Sequence, residues 1–269
     1  MSERHLTVDG RRVRHRVDGA GPPVVLLHGI GRTRRDFTEQ HELLADRYRV
    51  HSVDLPGYGG SLPMAQPYAL PALAGFVGRY LDAAGVGGPA HLVGNSLGGA
   101  VAMRFAVAEP ARVASAGFGR EVTMALRLLT VRPLGRLLLR PSRYAASRIE
   151  RALFHDPSLA TAERIAYART VARQPYAARV VLETARSLGT VRGVGPWRHE
   201  LLAELAGLDL PTLVVWGDRD LILPPAHLDA ARALLPRARI HLFRDCGHLP
   251  QVECAEAFSD LLTEFWSSA

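Results

Sequence analysis

Short apolar runs alternate with amphipathic stretches along most of the chain. The runs at 23–27, 48–53 and 90–93 have the length and the β-branched or apolar composition of strands that are buried on both faces of a parallel sheet. Between them, residues 36–45 and 70–84 carry apolar side chains at helical spacing. This alternation predicts right-handed β-α-β units, and therefore an α/β fold with a mostly parallel central sheet flanked by helices.

The pattern differs at the N-terminus and resumes near the C-terminus. Residues 5–8 and 11–17 alternate polar and apolar positions around Asp9-Gly10, which predicts a β-hairpin. Further strands are expected at 211–216 and 239–243, and further helices at 224–235 and 253–266.

Residues 118–200 abandon the alternation. Just before them, the sixth strand is expected at 113–117, where the apolar run is brief and its residues are small, so we expect this strand to be short or altered. Helices separated by Pro or Gly are then expected at 121–139, 143–154, 157–172 and 176–188. We therefore interpret residues 1–117 and 201–269 as an α/β core and residues 118–200 as a helical insertion.

The chain is rich in arginine. Its 269 residues are enough for one large α/β domain with an insertion, and its net charge of +7 arises without a single lysine. Residues 120–200 carry 15 arginines against six acidic residues. Aromatic residues are not interleaved with the arginines as binding of single-stranded nucleic acid requires, so we expect no nucleic acid partner. The Arg- and Leu-rich residues 127–140 make a weak contact with a membrane surface an alternative.

Targeting and cofactor signals are not found in the sequence. Residues 1–5 contain no apolar signal segment, and no run of about 18 uncharged apolar residues occurs, so a cytoplasmic location is expected. Cys246 and Cys254 match no metal-binding or disulfide spacing and are expected to be buried thiols. The sequence therefore predicts neither a metal nor an organic cofactor, and it carries no signal for the oligomeric state.

One serine lies where a strand turns sharply into a helix. Gly94-Asn95-Ser96-Leu97-Gly98 separates the strand at 90–93 from a helix expected at 99–108. Small residues two positions to each side let such a turn hold the Ser96 hydroxyl exposed. The N–H of Leu97 at the start of the helix then becomes a donor for an oxyanion. We interpret Ser96 as a nucleophile, with an ordinary glycine-rich turn as the alternative.

A serine hydroxyl needs a base, and the base needs a carboxylate that orients it. Asp220 follows the strand at 211–216, and His248 follows the strand at 239–243, so both are expected at the same sheet edge as Ser96. Asp218 and Asp245 compete with Asp220 for the orienting role. We favour Asp220, because a carboxylate two positions further from the strand can reach back toward the base.

A second oxyanion donor is expected after the first buried strand. His28-Gly29-Ile30-Gly31 follows residues 23–27, and its glycines let the backbone approach a substrate, so the Ile30 N–H is our candidate. Gly29, Asn95 and Leu249 neighbour the predicted catalytic residues and are candidate substrate contacts.

Five segments together resemble the α/β-hydrolase family: L-L-H-G-I-G, D-L-P-G-Y-G-G-S, G-N-S-L-G-G, W-G-D-R-D and C-G-H. The resemblance implies that residues 118–200 form a helical cap over the catalytic mouth. It also implies a triad of Ser96, Asp220 and His248, with oxyanion amides at Ile30 and Leu97. Family members with dehalogenase or epoxide-hydrolase activity carry an aspartate nucleophile, and Ser96 argues against both activities.

The segment G-N-S-L-G-G followed by R-F-A is also similar to enzymes that hydrolyse carbon–carbon bonds in ring-cleavage products. Two positions depart from those relatives: Arg32-Thr33 replaces Pro-Gly, and Leu249 replaces the Trp after the catalytic histidine. We therefore predict a serine hydrolase that cleaves a small hydrophobic carboxylic ester. A carbon–carbon bond hydrolase and a low-turnover ligand-binding protein are the alternatives.

Overall fold

An eight-stranded sheet runs through the molecule. The computed structural model describes residues 4–118, 135, 139–140, 142–190, 193–195, 197–225 and 227–268. The strands of the large sheet are β1 (Arg4–Val8), β2 (Arg11–Asp18), β3 (Pro23–Leu27), β4 (Arg49–Val53), β5 (Ala90–Gly94), β6 (Val113–Phe118), β9 (Thr212–Gly217) and β10 (Arg239–Phe243), and a separate two-stranded sheet contains β7 (Gly189–Thr190) and β8 (Gly193–Val194).

The described helices accompany these strands. They are α1 (Thr38–Leu44), α2 (Leu70–Ala83), α3 (Leu97–Ala108), α4 (Arg143–Ala152), α5 (Ala162–Ala172), α6 (Ala177–Leu188), α7 (Trp197–Ala206), α8 (His227–Leu234), α9 (Pro250–Glu253) and α10 (Ala255–Ser267), with short 3-10 turns at Arg34–Phe37, Pro110–Arg112 and Pro157–Leu159.

The order of strands in the large sheet is β1-β2-β4-β3-β5-β6-β9-β10. The hairpin β1–β2 and the β2–β4 pair are antiparallel, and every other pair is parallel, so the prediction of a mostly parallel sheet is confirmed. Asp9 and Gly10 have φ of 52° and 69°, the left-handed conformation that a two-residue hairpin turn matching the strand twist requires.

Both faces of the sheet are covered by helices. Along β3, Val25 and Leu27 pack into the core under α2 and α3, whereas Val24 and Leu26 pack into the core under α1 and α10. All four side chains are fully buried. This burial on both faces explains why the strand reads as a continuous apolar run. The parallel pairing of the central strands brings their carboxyl ends to one edge of the sheet.

The sixth strand is altered rather than short. β6 has six residues, as many as β9 and one more than β5. Its register shifts against β5, since Ala90 pairs with Val113 but His91 pairs with Ser115. The extra residue, Ala114, forms a bulge, a feature that increases the local twist of a strand.

Helices dominate the described part of the insertion. The predicted helices at 143–154, 157–172 and 176–188 are confirmed as α4, α5 and α6, each within a few residues at its ends. α7 was not predicted, and nearly all of the helix expected at 121–139 lies outside the described residues. Among the helices of the described ranges, none combines the length and the apolarity needed to cross a bilayer.

Candidate active site

The serine turn is held in a strained conformation. Ser96 has φ of 54° and ψ of −114°, and its side chain is half-buried at the start of α3. A Cβ added to Gly98 would lie 1.9 Å from the Leu27 carbonyl oxygen, and one added to Gly94 would lie 2.3 Å from the Gly98 backbone. Only glycine fits at these two positions, so the backbone closes tightly enough to force the serine into this conformation.

The loop after β3 packs against the serine turn. The N–H of Asn95 donates to the Leu27 carbonyl at 3.0 Å, and a Cβ added to Gly29 would lie 3.4 Å from Ser96 Cβ. Ile30 follows in this loop and is half-buried, while Leu97 is the first residue of α3, where helix N–H groups lack partners within the helix. The two predicted oxyanion amides therefore lie in neighbouring backbone segments.

His28 fixes the base of that loop. Its Nε2 accepts a hydrogen bond from the Leu55 N–H at 2.9 Å, so Nδ1 carries the ring proton and donates to the Gly29 carbonyl at 2.7 Å. The ring is fully buried, and burial lowers the pKa of His28, so the imidazole stays neutral. His28 is a structural histidine beneath the loop rather than a second base.

Asp220 and His248 are joined by a buried hydrogen bond. His248 Nδ1 lies 2.8 Å from Asp220 Oδ2, and both residues are 7% exposed. The other carboxylate oxygen accepts hydrogen bonds from the N–H groups of Ile222 and Leu223, each at 2.7 Å. Because an ionised carboxylate only accepts, Nδ1 carries the proton and Nε2 is left with a lone pair, as a general base requires.

The two other candidate carboxylates, Asp218 and Asp245, contact groups other than the His248 imidazole. Asp218 accepts a hydrogen bond from the Cys246 N–H at 3.4 Å and lies 3.7 Å from Arg244. Asp245 has a side chain that is 71% exposed and lies 3.6 Å from Arg219. Asp220 is thus the carboxylate that contacts the imidazole, as the sequence analysis favoured.

The three loops that carry these residues are fastened to one another. The Asn95 side-chain amide donates to the His248 carbonyl at 3.0 Å, which links the serine turn to the histidine loop. The N–H of Arg219 donates to the Cys246 carbonyl at 2.9 Å, and a Cβ added to Gly217 would lie only 2.2 Å from that carbonyl oxygen. The sheet edge therefore brings the serine turn, the carboxylate loop and the histidine loop into one site.

A family model described as the alpha/beta hydrolase family matches residues 24–261. This chain belongs to the alpha/beta hydrolase family. Membership agrees with the fold predicted from the motifs, and the hydrolases among its relatives support an enzymatic function.

Three similar proteins illustrate the range within the family. A dihydrolipoyllysine-residue acetyltransferase component of an acetoin cleaving system, from Cupriavidus necator, is 35% identical over 263 residues, which cover 95% of this chain and 66% of the relative. This α/β hydrolase thus spans slightly less than two thirds of that relative's length. A 2-hydroxy-6-oxo-6-phenylhexa-2,4-dienoate hydrolase from Burkholderia cepacia is 30% identical over 261 residues, covering 92% of this chain and 88% of the relative. The crystal structure of a bacterial membrane phospholipase A superposes with a TM-score of 0.80 at 25% identity, covering 99% of this chain and 86% of that one.

The histidine loop of this α/β hydrolase has contacts that the sequence analysis missed. The His248 N–H donates to the Leu153 carbonyl at 2.7 Å, just after α4. Glu253 accepts hydrogen bonds from the N–H groups of Gly247 at 2.5 Å and Asp156 at 2.8 Å. The bonds from His248 to Leu153 and from Asp156 to Glu253 join positions nearly 100 residues apart, and no local spacing signals them.

A small cavity lies beside the Asp220–His248 pair. Its volume is about 40 Å³, enough for one or two water molecules but too small for an ester. Leu249, predicted as a substrate contact, is fully buried against Leu153 and Phe154, so its side chain packs the histidine loop against the insertion.

Both cysteines of the chain are free thiols; Cys246 is buried and Cys254 is half-buried. The described residues include no group of three or more His, Cys, Asp or Glu side chains placed to hold a metal ion.

Proposed function

We propose that the protein is a serine hydrolase that cleaves carboxylic esters through an acyl-enzyme on Ser96. In this proposal His248 is the general base, Asp220 orients it, and the N–H groups of Ile30 and Leu97 form the oxyanion hole. The observation that carries the proposal is the buried hydrogen bond between His248 Nδ1 and Asp220, beside a strained serine turn that is tied to the same histidine loop.

The proposed reaction proceeds in two halves. Ser96 Oγ attacks the ester carbonyl while His248 Nε2 takes the hydroxyl proton, and the oxyanion receives the amide hydrogen bonds. His248 then gives the proton to the departing alkoxide, which leaves an acyl-enzyme. A water molecule attacks the acyl carbonyl while His248 takes its proton. The bond to Ser96 Oγ then breaks, His248 returns the proton to Oγ, and the carboxylic acid product departs. Asp220 accepts hydrogen bonds from two backbone N–H groups and from the imidazole, and in this proposal these bonds hold the His248 ring in one orientation in both halves.

The small hydrophobic ester expected from the sequence is proposed to bind between the core and the insertion. We infer that residues 118–200 form a cap, since the Leu153 carbonyl just after α4 accepts a hydrogen bond from the His248 N–H, and Leu153 and Phe154 pack against Leu249. The cytoplasmic location and the weak membrane contact remain predictions. The second of these rests on residues 127–140, which lie almost wholly outside the described part of the chain.

Carbon–carbon bond hydrolysis is the second candidate. It is favoured by the Burkholderia cepacia relative, a dienoate hydrolase that this chain matches at 30% identity over most of both lengths. The replacements at Arg32 and Leu249 count against it, because both positions neighbour the proposed catalytic residues.

A substrate series separates the two candidates. Purified protein is assayed with p-nitrophenyl esters of increasing acyl length and, in parallel, with a ring-fission dienoate, with Ser96→Ala as the control. We expect ester turnover with a burst of one p-nitrophenol per protein and no turnover by Ser96→Ala. A higher kcat/KM for the dienoate than for every ester would establish the second candidate instead, and ligand binding without turnover of either would establish a binding protein.

A further inference from the structure

A buried ion-pair cluster links the insertion to the loop that carries Ile30. The Arg32 guanidinium donates to both carboxylate oxygens of Asp36, from Nε at 2.8 Å and from Nη2 at 2.7 Å. Its remaining nitrogen, Nη1, donates to Glu150 Oε1 on α4. The side chains of Asp36 and Glu150 are 4% and 2% exposed, and that of Arg32 is 14% exposed, so the cluster is mostly buried.

The cluster stays charged despite its burial. Burial lowers the pKa of Arg32, but the carboxylates of Asp36 and Glu150 outweigh it, so the pKa lies above its ordinary value. Burial likewise raises the pKa of Asp36, but Arg32 outweighs it, so that pKa lies below its ordinary value. Buried ion pairs contribute little net stability compared with apolar packing, and their geometry is directional. A directional contact between α4 and Arg32 therefore points to positioning rather than to stability.

Arg32 closes the turn that presents the Ile30 amide. Its backbone N–H donates to the Gly29 carbonyl at 3.1 Å. This hydrogen bond closes a turn that has Ile30 and Gly31 as its two central residues. Gly31 has φ of 70°, which lets the turn close. A Cβ added to Gly29 would lie 3.5 Å from Arg32 Cγ, so the Arg32 side chain packs along the same turn. Movement of the guanidinium would thus be transmitted to the Ile30 N–H.

The same stretch of the insertion also contacts the histidine loop. Three residues after Glu150, the Leu153 carbonyl accepts a hydrogen bond from the His248 N–H. The end of α4 therefore touches both the oxyanion loop and the loop of the catalytic base.

We propose that Arg32 is a positioning residue for the oxyanion hole, and that Glu150 on α4 sets its position. The oxyanion amide of Ile30 is then aligned only while α4 is docked on the core. The kinetic part of this inference rests on the proposed esterase function, whereas the structural coupling between Glu150 and the Ile30 turn does not.

The direction in which kcat changes when Glu150 is removed separates a positioning role of Arg32 from a purely electrostatic one. Glu150 is negative, so its removal leaves a more positive surrounding, which by itself stabilises an oxyanion. If Arg32 acted only through its charge, losing Glu150 would leave kcat unchanged or raise it. If Arg32 positions the loop, losing Glu150 lowers kcat.

The test compares Glu150→Ala and Glu150→Gln with the control Glu163→Ala. Glu163 also links the insertion to the core, but its ion pair is to Arg35, at 3.8 Å, and its side chain is 87% exposed. We expect Glu150→Ala to lower kcat about 10- to 100-fold with little change in KM, because misalignment by about 1 Å can cost 10²-fold. Glu150→Gln keeps an oxygen acceptor for Arg32 and is expected to recover most of kcat. The control is expected to match the parent protein.

Hydrogen–deuterium exchange of residues 28–33 gives a readout that needs no substrate. We expect faster exchange in Glu150→Ala than in the parent, and unchanged exchange in Glu163→Ala. Unchanged exchange of this segment in a folded Glu150 variant would overturn the proposal, whether or not the protein hydrolyses esters. Slower exchange or a raised kcat would overturn it too, whereas an inactive parent with faster exchange in the variant would overturn only the proposed esterase function.

A chemical rescue covers the case in which Glu150→Ala does not fold. Arg32, Asp36 and Glu150 line a cavity of about 430 Å³, which gives a small cation access to the cluster. In Arg32→Ala, millimolar guanidinium is expected to restore part of kcat and to slow exchange of the 28–33 segment. Full kcat with unchanged exchange of this segment in folded Arg32→Ala would overturn the proposal, and so would a loss of kcat and a faster exchange that guanidinium leaves unchanged.

Discussion

Replacing Asp220 with asparagine tests the assignment of the orienting carboxylate. Asp220 Oδ1 accepts hydrogen bonds from the N–H groups of Ile222 and Leu223, each at 2.7 Å, so that end of the side chain must remain an oxygen. In Asp220→Asn the amide oxygen takes this place, and the NH₂ group turns toward His248 Nδ1. Since an amide NH₂ only donates, Nδ1 becomes the acceptor and the ring proton moves to Nε2.

A histidine protonated at Nε2 no longer accepts the proton of Ser96. The expected loss in kcat is about 10⁴-fold, or about 5.5 kcal/mol in the activation free energy. The fold should persist, because both backbone hydrogen bonds to position 220 are kept. The melting temperature is therefore expected to change little compared with the loss of activity.

The assay measures kcat with the p-nitrophenyl ester that the parent protein hydrolyses fastest, with Asp218→Asn as the matched control. Asp218 lies two positions before Asp220 and does not contact the imidazole, and Asp218→Asn keeps an oxygen acceptor for the Cys246 N–H, so this variant is expected to stay within about threefold of the parent. The reasoning fails if Asp220→Asn retains more than about a tenth of kcat, or if Asp218→Asn loses as much activity as Asp220→Asn.

Three further predictions concern the backbone and the buried histidines. Gly98→Ala places a Cβ against the Leu27 carbonyl and is expected to cost about 3 kcal/mol or more in urea-unfolding free energy; unchanged stability would contradict the tight serine turn. Ser96→Gly relieves a strain of about 1–3 kcal/mol, so its melting temperature is expected to exceed that of Ser96→Ala, and a lower value would refute the strain. Burial lowers the pKa of His15 and of His51 to about 4, so the unfolded chain takes up protons near pH 6.5 while the folded chain does not. The free energy of unfolding, measured in denaturant, is expected to fall as pH drops from 7 to 4, by up to about 3 kcal/mol for each histidine, and a constant value over that range would show that both are protonated when folded.

The parallel sheet and the serine turn were accessible from sequence because their signals are local. The apolar run at 23–27 and the spacing of Gly94 and Gly98 around Ser96 are both set by backbone geometry within a few residues. The contact of His248 with Asp220 rather than with Asp218 was also reachable, since a residue further from the strand end extends further across the loop.

Contacts between the insertion and the core were not accessible in this way. Arg32 was noticed as a departure from relatives, but its partner Glu150 is 118 residues away and depends on how α4 docks. The bulge at Ala114 escaped prediction because small residues give the same pattern in a regular strand and in a shifted one. α7 was missed although Leu201, Leu202 and Leu205 are buried at helical spacing.

Covalent labelling of Ser96 tests the central claim most directly. The protein is incubated with a fluorophosphonate, digested with trypsin, and the peptide between Arg79 and Arg104 is analysed by mass spectrometry. The account predicts one phosphonyl group on Ser96, no adduct in Ser96→Ala, and much slower labelling of Asp220→Asn. An unlabelled folded protein, or an adduct that persists in Ser96→Ala, would contradict it.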